Sequence, residues 1–182
     1  MIPSAGSCRP SPPGGADGFA AVLTVPGTPA GRLLGAGVDL LDQQRFALAA
    51  KRVGPAWLDR IFDESERAGT AGGELPRGST QLAGSAQLAE LARLFGIKEC
   101  VIKIVGGLPV GAGYRDIVVA TTGGDGARPI RLRGELARWA GDHRAVLAGG
   151  VLAGGVLQEC QDTAGSALDL CWAVATEVEE PR

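Results

Sequence analysis

The chain has 182 residues, with 18 Lys and Arg against 20 Asp and Glu, for a formal net charge of −2. That length suits one modest domain with appendages, and the near-balance of charge argues against a general nucleic-acid binder while leaving room for a local basic pocket. No apolar run approaches the ~20 residues of a membrane span. The four cysteines (Cys8, Cys100, Cys160 and Cys171) lack metal-type spacing and the single histidine, His143, is near none of them in sequence. This argues against a zinc site, a disulfide framework or a His-dependent hydrolase, and makes a reducing cytoplasm the expected location. Aromatic residues are 4% of the chain and glycines number 29, so the core must be built mainly of Leu, Val, Ile and Ala. Stability is expected to be marginal unless subunits pack together.

In chain order, residues 1–31 are rich in Pro, Gly, Ser and Ala and read as a disordered or loosely packed extension, with a short strand possible only at Phe19–Val25. The folded domain is expected over 32–182. It opens with an apolar strand, Arg32–Leu41, interrupted by Gly35 and Gly37 and ending around Asp39. A helix carrying Arg45, Lys51 and Arg52 runs to about Val53, and Pro55 starts a second through Phe62. Asp63-Glu64-Ser65-Glu66 has the acidity of a helix N-terminus. Residues 68–85 read as a mobile Gly/Thr/Ser-rich loop.

From Gln87 to Val105, Leu88, Leu91, Ala92, Phe95, Ile102 and Val105 recur at three- and four-residue intervals without proline, which predicts an amphipathic helix stopped by Gly106-Gly107. Within it, Lys98-Glu99-x-x-x-Lys103 places Glu99 and Lys103 on one face. As an isolated pair this would be a surface ion pair worth a few tenths of a kcal/mol. Apolar residues on both sides indicate a largely buried helix, where a carboxylate and two ammonium groups suit a metal and a phosphate better than solvent.

Beyond a turn over 108–113, Tyr114–Ala120 reads as a strand, 121–127 as a hairpin turn and Arg128–Gly134 as the returning strand. A short helix follows over Glu135–Trp139. The repeat Val146-Leu147-Ala148-Gly149-Gly150 and Val151-Leu152-Ala153-Gly154-Gly155 reads as a Gly-bent strand or an inserted loop; no Lys-Ser/Thr follows it, so a P-loop is a weak reading. Leu170–Val178 is expected to be a buried strand.

Taken together, this order of motifs resembles the bacterial holo-acyl-carrier-protein synthases, the short type of the 4′-phosphopantetheinyl transferase superfamily. The resemblance runs from about residue 33 to the end. It is carried by Gly37-Val38-Asp39-Leu40 with Arg45-Phe46, by Arg60-Ile61-Phe62-Asp63-Glu64-Ser65-Glu66, and by Phe95-Gly96-Ile97-Lys98-Glu99-Cys100-Val101-Ile102-Lys103. Gly106-Gly107, Asp116-Ile117-Val118-Val119, Arg128-Pro129, Leu132-x-Gly134 and Trp172-Ala173-Val174-Ala175 follow in the family's order.

The resemblance implies an α+β fold with an antiparallel sheet packed on a long central helix. It implies transfer of 4′-phosphopantetheine from coenzyme A to a serine of an acyl or peptidyl carrier protein, with release of 3′,5′-ADP. Asp39 and Glu99 would hold Mg²⁺, Glu99 or a water on it would act as general base, and Lys103 would face the pyrophosphate. Lys98 would contact the nucleotide or groups around the metal. Arg45 and Arg52 would receive the acidic carrier, and subunits would form a homotrimer with coenzyme sites between them. The chain departs from the pattern in three places: Leu94 stands where the family carries Arg, with Arg93 one place earlier; Gly165-Ser166-Ala167-Leu168 replaces a Ser-x-Ser-His segment; and the connection containing the repeat is longer. These departures imply weaker coenzyme binding. They leave an alternative, a catalytically weakened relative that docks a carrier or synthase without transferring anything.

Overall fold

The computed structural model describes residues 31–70, 84–121, 126–152 and 168–178. The extension before residue 31 with its Phe19–Val25 strand, most of the loop expected over 68–85, the tip of the hairpin turn and the second glycine pair of the repeat lie outside the described residues.

The elements are β1 (Arg32–Asp42), α1 (Gln43–Val53), α2 (Pro55–Ile61), α3 (Glu64–Thr70), α4 (Ser85–Val105), β2 (Ile117–Val119), β3 (Arg128–Leu132), α5 (Gly134–Asp142), β4 (Ala145–Leu152) and β5 (Leu168–Glu177). The strands form one antiparallel sheet in the order β1-β5-β4-β3-β2, so β1 is an edge. The α+β class is as the sequence indicates, with α4 lying across the sheet. Among the described residues, no helix is long and apolar enough to cross a membrane.

Several boundaries differ from expectation for local reasons. β1 continues through Asp39 to Asp42, and it is Asp42, not Asp39, whose carboxylate accepts the Arg45 backbone N–H (2.9 Å) and caps α1. Tyr114–Asp116 form a 3₁₀ turn rather than the start of a strand, because the Asp116 side chain accepts the Gly113 N–H (2.8 Å) and curls the chain. α5 is longer than predicted. The first copy of the repeat is β4, where Gly149 leaves room for Ile97 of α4 and the carbonyl of Trp172.

α4 is stopped as predicted, with Gly106 at φ 80° donating its N–H to the carbonyls of the last turn. Its buried residues, among them Leu88, Leu91, Leu94, Ile97, Lys98, Cys100 and Val101, occupy most of its circumference. One side meets the sheet through Cys171, Ala173 and Ala175 of β5; the other meets α1. Five aromatic residues are gathered into one cluster. Phe46 lies 5.4 Å from Trp57, 6.3 Å from Phe62 and 5.6 Å from Phe95, and Phe95 stacks on Tyr114 at 5.5 Å. This cluster ties α1, α2 and the 3₁₀ turn to the middle of α4.

The alternation of β1 decides what faces the helix. Gly35, Gly37 and Leu41 contact α4 or its packing partners, so Asp39 is on the helix-facing side, while Ala36, Val38 and Leu40 are exposed on the opposite face. A Cβ at Gly37 would run into the carbonyl of Cys100, and one at Gly35 would lie 3.0 Å from Ile104. Gly37 therefore lets the edge strand lie directly on the helix backbone, and Gly35 leaves room for the Ile104 side chain.

Candidate active site

The close approach of β1 to α4 brings Asp39 to the helix face that carries Glu99 and Lys103. Lys103 Nζ donates to Asp39 Oδ1 (2.7 Å) and to the Val38 carbonyl (2.7 Å). The Lys103 side chain is 48% exposed and that of Asp39 25%, so the pair lies at the surface, open to solvent. Its hydrogen bond to Asp39 holds the Lys103 ammonium above its ordinary value of 10.5, against the opposing effect of burial, and the charges of Asp39 and Glu99 act in the same direction as the bond. The ammonium therefore stays charged throughout the neutral range.

Glu99 is half-buried, and its Oε1 accepts the hydroxyl proton of Tyr114. Burial, the bond to Glu99, and the charges of Glu99 and Asp39 push the Tyr114 phenol up to about 12. Tyr114 and Lys103 thus both lie in the field of both carboxylates. Asp39, Glu99 and Lys103, picked out from sequence, are brought together by the fold.

Of the two expectations for Lys98, a nucleotide contact or a place among the groups around the metal, its geometry speaks against the first. Its side chain is 0% exposed, and Nζ donates to Glu66 Oε2 (2.7 Å), the Ile61 carbonyl (2.8 Å) and the Tyr114 carbonyl (3.1 Å). With three donors and three protein acceptors, the ammonium has nothing left for a nucleotide. The reason is helical geometry: Lys98 is one residue from Glu99, about 100° round α4, and so points inward when Glu99 lies on the partly exposed face with Lys103. Burial pulls the Lys98 ammonium below its ordinary value, opposed by Glu66.

Two residues were overlooked in the sequence. Glu66 joins three groups: its oxygens take Lys98, the Asp63 N–H (2.8 Å) and the Val119 N–H (2.9 Å). The signal was legible as Asp63-x-x-Glu66, a reciprocal cap, since Asp63 Oδ1 in turn accepts the Ser65 N–H at 3.1 Å. Tyr114 carried no motif beyond being the chain's only tyrosine.

Arg45 and Arg52 lie on the exposed side of α1, two turns apart, with Leu48, 67% exposed, between them. The departures at Leu94 and Arg93 also have a structural outcome. Leu94 is fully buried, and Arg93 pairs with Asp169 (3.1 Å) and Glu90 (3.5 Å), away from the Asp39–Lys103 pair. Asp169 also accepts from Gln43 at 2.5 Å, so it fastens the start of α1 to α4.

Asp39 and Glu99 offer hard oxygen donors, and an ammonium already sits against one of them. Among the described residues there is no group of three or more His, Cys, Asp and Glu side chains able to enclose a metal ion. Two carboxylates completed by substrate oxygens and water suit Mg²⁺, which is commonly held in that way.

Comparison with known proteins agrees with this fold. No family model matches the chain. A holo-[acyl-carrier-protein] synthase of Paramagnetospirillum magneticum is 33% identical over 102 residues, covering 56% of this chain and 69% of that protein. The chain belongs to the holo-[acyl-carrier-protein] synthase family. Holo-[acyl-carrier-protein] synthase from Neisseria meningitidis superposes with a TM-score of 0.56 at 20% identity, over 80% of this chain and 99% of that one. The Helicobacter pylori holo-[acyl-carrier-protein] synthase, solved in complex with coenzyme A, superposes with a TM-score of 0.50 at 18% identity, over 78% and 100%.

Proposed function

We propose that this chain transfers 4′-phosphopantetheine from coenzyme A to a serine of an acyl or peptidyl carrier protein, with Mg²⁺, and releases 3′,5′-ADP. The observation that carries the reading is the meeting of Asp39 with Lys103 at the Glu99 face of α4. Family membership supports the general chemistry, and the Helicobacter pylori complex supports coenzyme A as the donor.

Phosphoryl transfer asks a protein mainly for positioning and charge neutralisation. Asp39 and Glu99 would hold Mg²⁺, which when bound neutralises charge on the coenzyme's diphosphate. Glu99 Oε1 is engaged by Tyr114, which leaves Oε2 for the metal or, directly or through a water, for the proton of the carrier serine. The serine oxygen forms a bond to the phosphorus nearest the pantetheine, and the bond from that phosphorus to the oxygen of 3′,5′-ADP breaks. Lys103 offsets the charge that develops on the leaving oxygen. At an effective dielectric near 20, one charge about 4 Å away contributes roughly 4 kcal/mol before desolvation, against about 1 in water.

Arg45 and Arg52 would receive the carrier's acidic surface, with Leu48 supplying an apolar contact between them. The test is the intact mass of an apo-carrier incubated with the full chain, coenzyme A and Mg²⁺. A phosphopantetheine increment is expected, with a higher KM for the carrier in the Arg45→Glu/Arg52→Glu variant. Carrier binding without a mass increment would instead select the non-catalytic relative, a reading favoured only by the capture of Arg93 by Asp169 and Glu90.

The exposed side of β1, with Val38 54% and Leu40 58% exposed, supports subunit packing through the sheet face turned away from α4. A homotrimer is the assembly proposed, in a cytoplasmic location. Sedimentation equilibrium should give three times the 18.5 kDa chain mass. A monomer unaffected by Leu40→Asp would reject that assembly.

A further inference from the structure

Tyr114 is held at three points before it reaches Glu99. Its carbonyl accepts Lys98 Nζ (3.1 Å), its ring stacks on Phe95 (5.5 Å), and its turn is closed by Asp116 on the Gly113 N–H (2.8 Å). Lys98 is fully buried, so the first of these anchors is fixed to the interior and not to a surface side chain. The hydroxyl at the far end donates to Glu99 Oε1. A phenol restrained at backbone, ring and turn loses little freedom when it makes that bond.

We infer that Tyr114 is a positioning residue: its hydroxyl fixes one oxygen of Glu99 and presents the other, Oε2, to the divalent cation. The inference rests on the metal reading of Glu99 given above. A carboxylate on a long side chain has several rotamers and two equivalent oxygens. A donor on Oε1 removes the equivalence and restricts the side chain to rotamers that leave Oε2 unoccupied by Tyr114. Groups that orient a metal ligand in this way commonly alter metal affinity or activity by about 10–100-fold when lost. The bond also links the Glu99 face of α4 to the interior. From Glu66 through Lys98 to the Tyr114 carbonyl, and from the Tyr114 hydroxyl to Glu99, a buried ion pair is connected to the carboxylate of the site.

The experiment is a Mn²⁺ titration of the full chain, with free Mn²⁺ read by electron paramagnetic resonance, in the presence and absence of inorganic pyrophosphate as a diphosphate probe. Tyr114→Phe keeps the ring on Phe95 and removes only the hydroxyl. It is expected to bind Mn²⁺ about tenfold more weakly than the parent, with a melting temperature lowered by no more than a few degrees, and saturating Mg²⁺ should restore transferase activity. Parent-like Mn²⁺ affinity in Tyr114→Phe, alongside loss of binding in Glu99→Ala, would overturn the role of Tyr114 and leave the metal reading standing. Parent-like affinity in Glu99→Ala, or no Mn²⁺ binding by the parent under either condition, would overturn the metal reading and this inference together. If Tyr114→Phe does not fold, Phe95→Leu carries the test. It retains the phenol but frees its ring, and undiminished Mn²⁺ affinity there would reject the positioning role.

Discussion

Glu99→Ala and Asp39→Ala are both expected to fold and to modify the carrier far more slowly than the parent, with Glu99→Ala the more severe. Each substitution removes one of the two oxygen donors offered to the cation, but Glu99 is also the group able to take the serine proton, a role worth about 10²–10⁴ in rate. The two losses should differ in their cure. Raising Mg²⁺ should recover part of the rate in Asp39→Ala, where the base survives, and little in Glu99→Ala. Folding should be affected modestly. The Asp39–Lys103 pair is partly exposed, and exposed ion pairs contribute about 0–1 kcal/mol. Loss of Glu99 leaves the Tyr114 hydroxyl without its acceptor, which for a partly buried group costs about 1–3 kcal/mol. Thermal melts and a time course of carrier mass measure both effects. A parent-like rate in Glu99→Ala would remove the basis for the proposed chemistry.

The parts of this molecule legible in the sequence were those governed by local rules. The apolar spacing of α4, its stop at Gly106 and the burial of β5 follow from periodicity, from glycine's tolerance of positive φ and from a continuous apolar run. The pairing of Glu99 with Lys103 on one face needed only the helix repeat. That Asp39 would join them could be proposed from the family's motif order, but its physical cause is tertiary: Gly37 allows β1 to rest on the α4 backbone, and glycine in a strand does not announce what will approach it. Lys98 shows the limit of reading adjacent residues as one motif. Sharing a motif with Glu99 suggested a shared cleft, whereas a rotation of about 100° per residue sends neighbours in different directions. Tyr114 was misread with its segment, because an apolar run ending in Ile117-Val118-Val119 looks like a strand from its start. The turn at Tyr114 depends on Asp116 bonding back to Gly113, a choice between two local conformations that composition does not decide.

Lys98→Met is expected to destabilise the domain by about 3–5 kcal/mol, the usual result when one member of a buried ion pair is removed and the other charge is left in the interior. Glu66 would remain fully buried, and the Ile61 and Tyr114 carbonyls would lose a donor. A compensating change can be chosen from the same contacts. Glu66→Gln removes the stranded charge and retains a carbonyl oxygen able to accept one of the N–H groups of Asp63 and Val119, so Lys98→Met/Glu66→Gln should be more stable than Lys98→Met alone. Glu66→Leu should not substitute for it, because both backbone N–H groups would then be buried without acceptors. Denaturant unfolding of the three variants measures these differences. The kinetics separate the structural role of Lys98 from the nucleotide contact expected of it. In a variant kept folded by low temperature, the KM for coenzyme A should stay near that of the parent, while the Mg²⁺ requirement rises as Tyr114 loses its backbone anchor. A large rise in KM for coenzyme A at full stability would instead place the Lys98 ammonium on the substrate, and would require the buried arrangement with Glu66 to open when coenzyme binds.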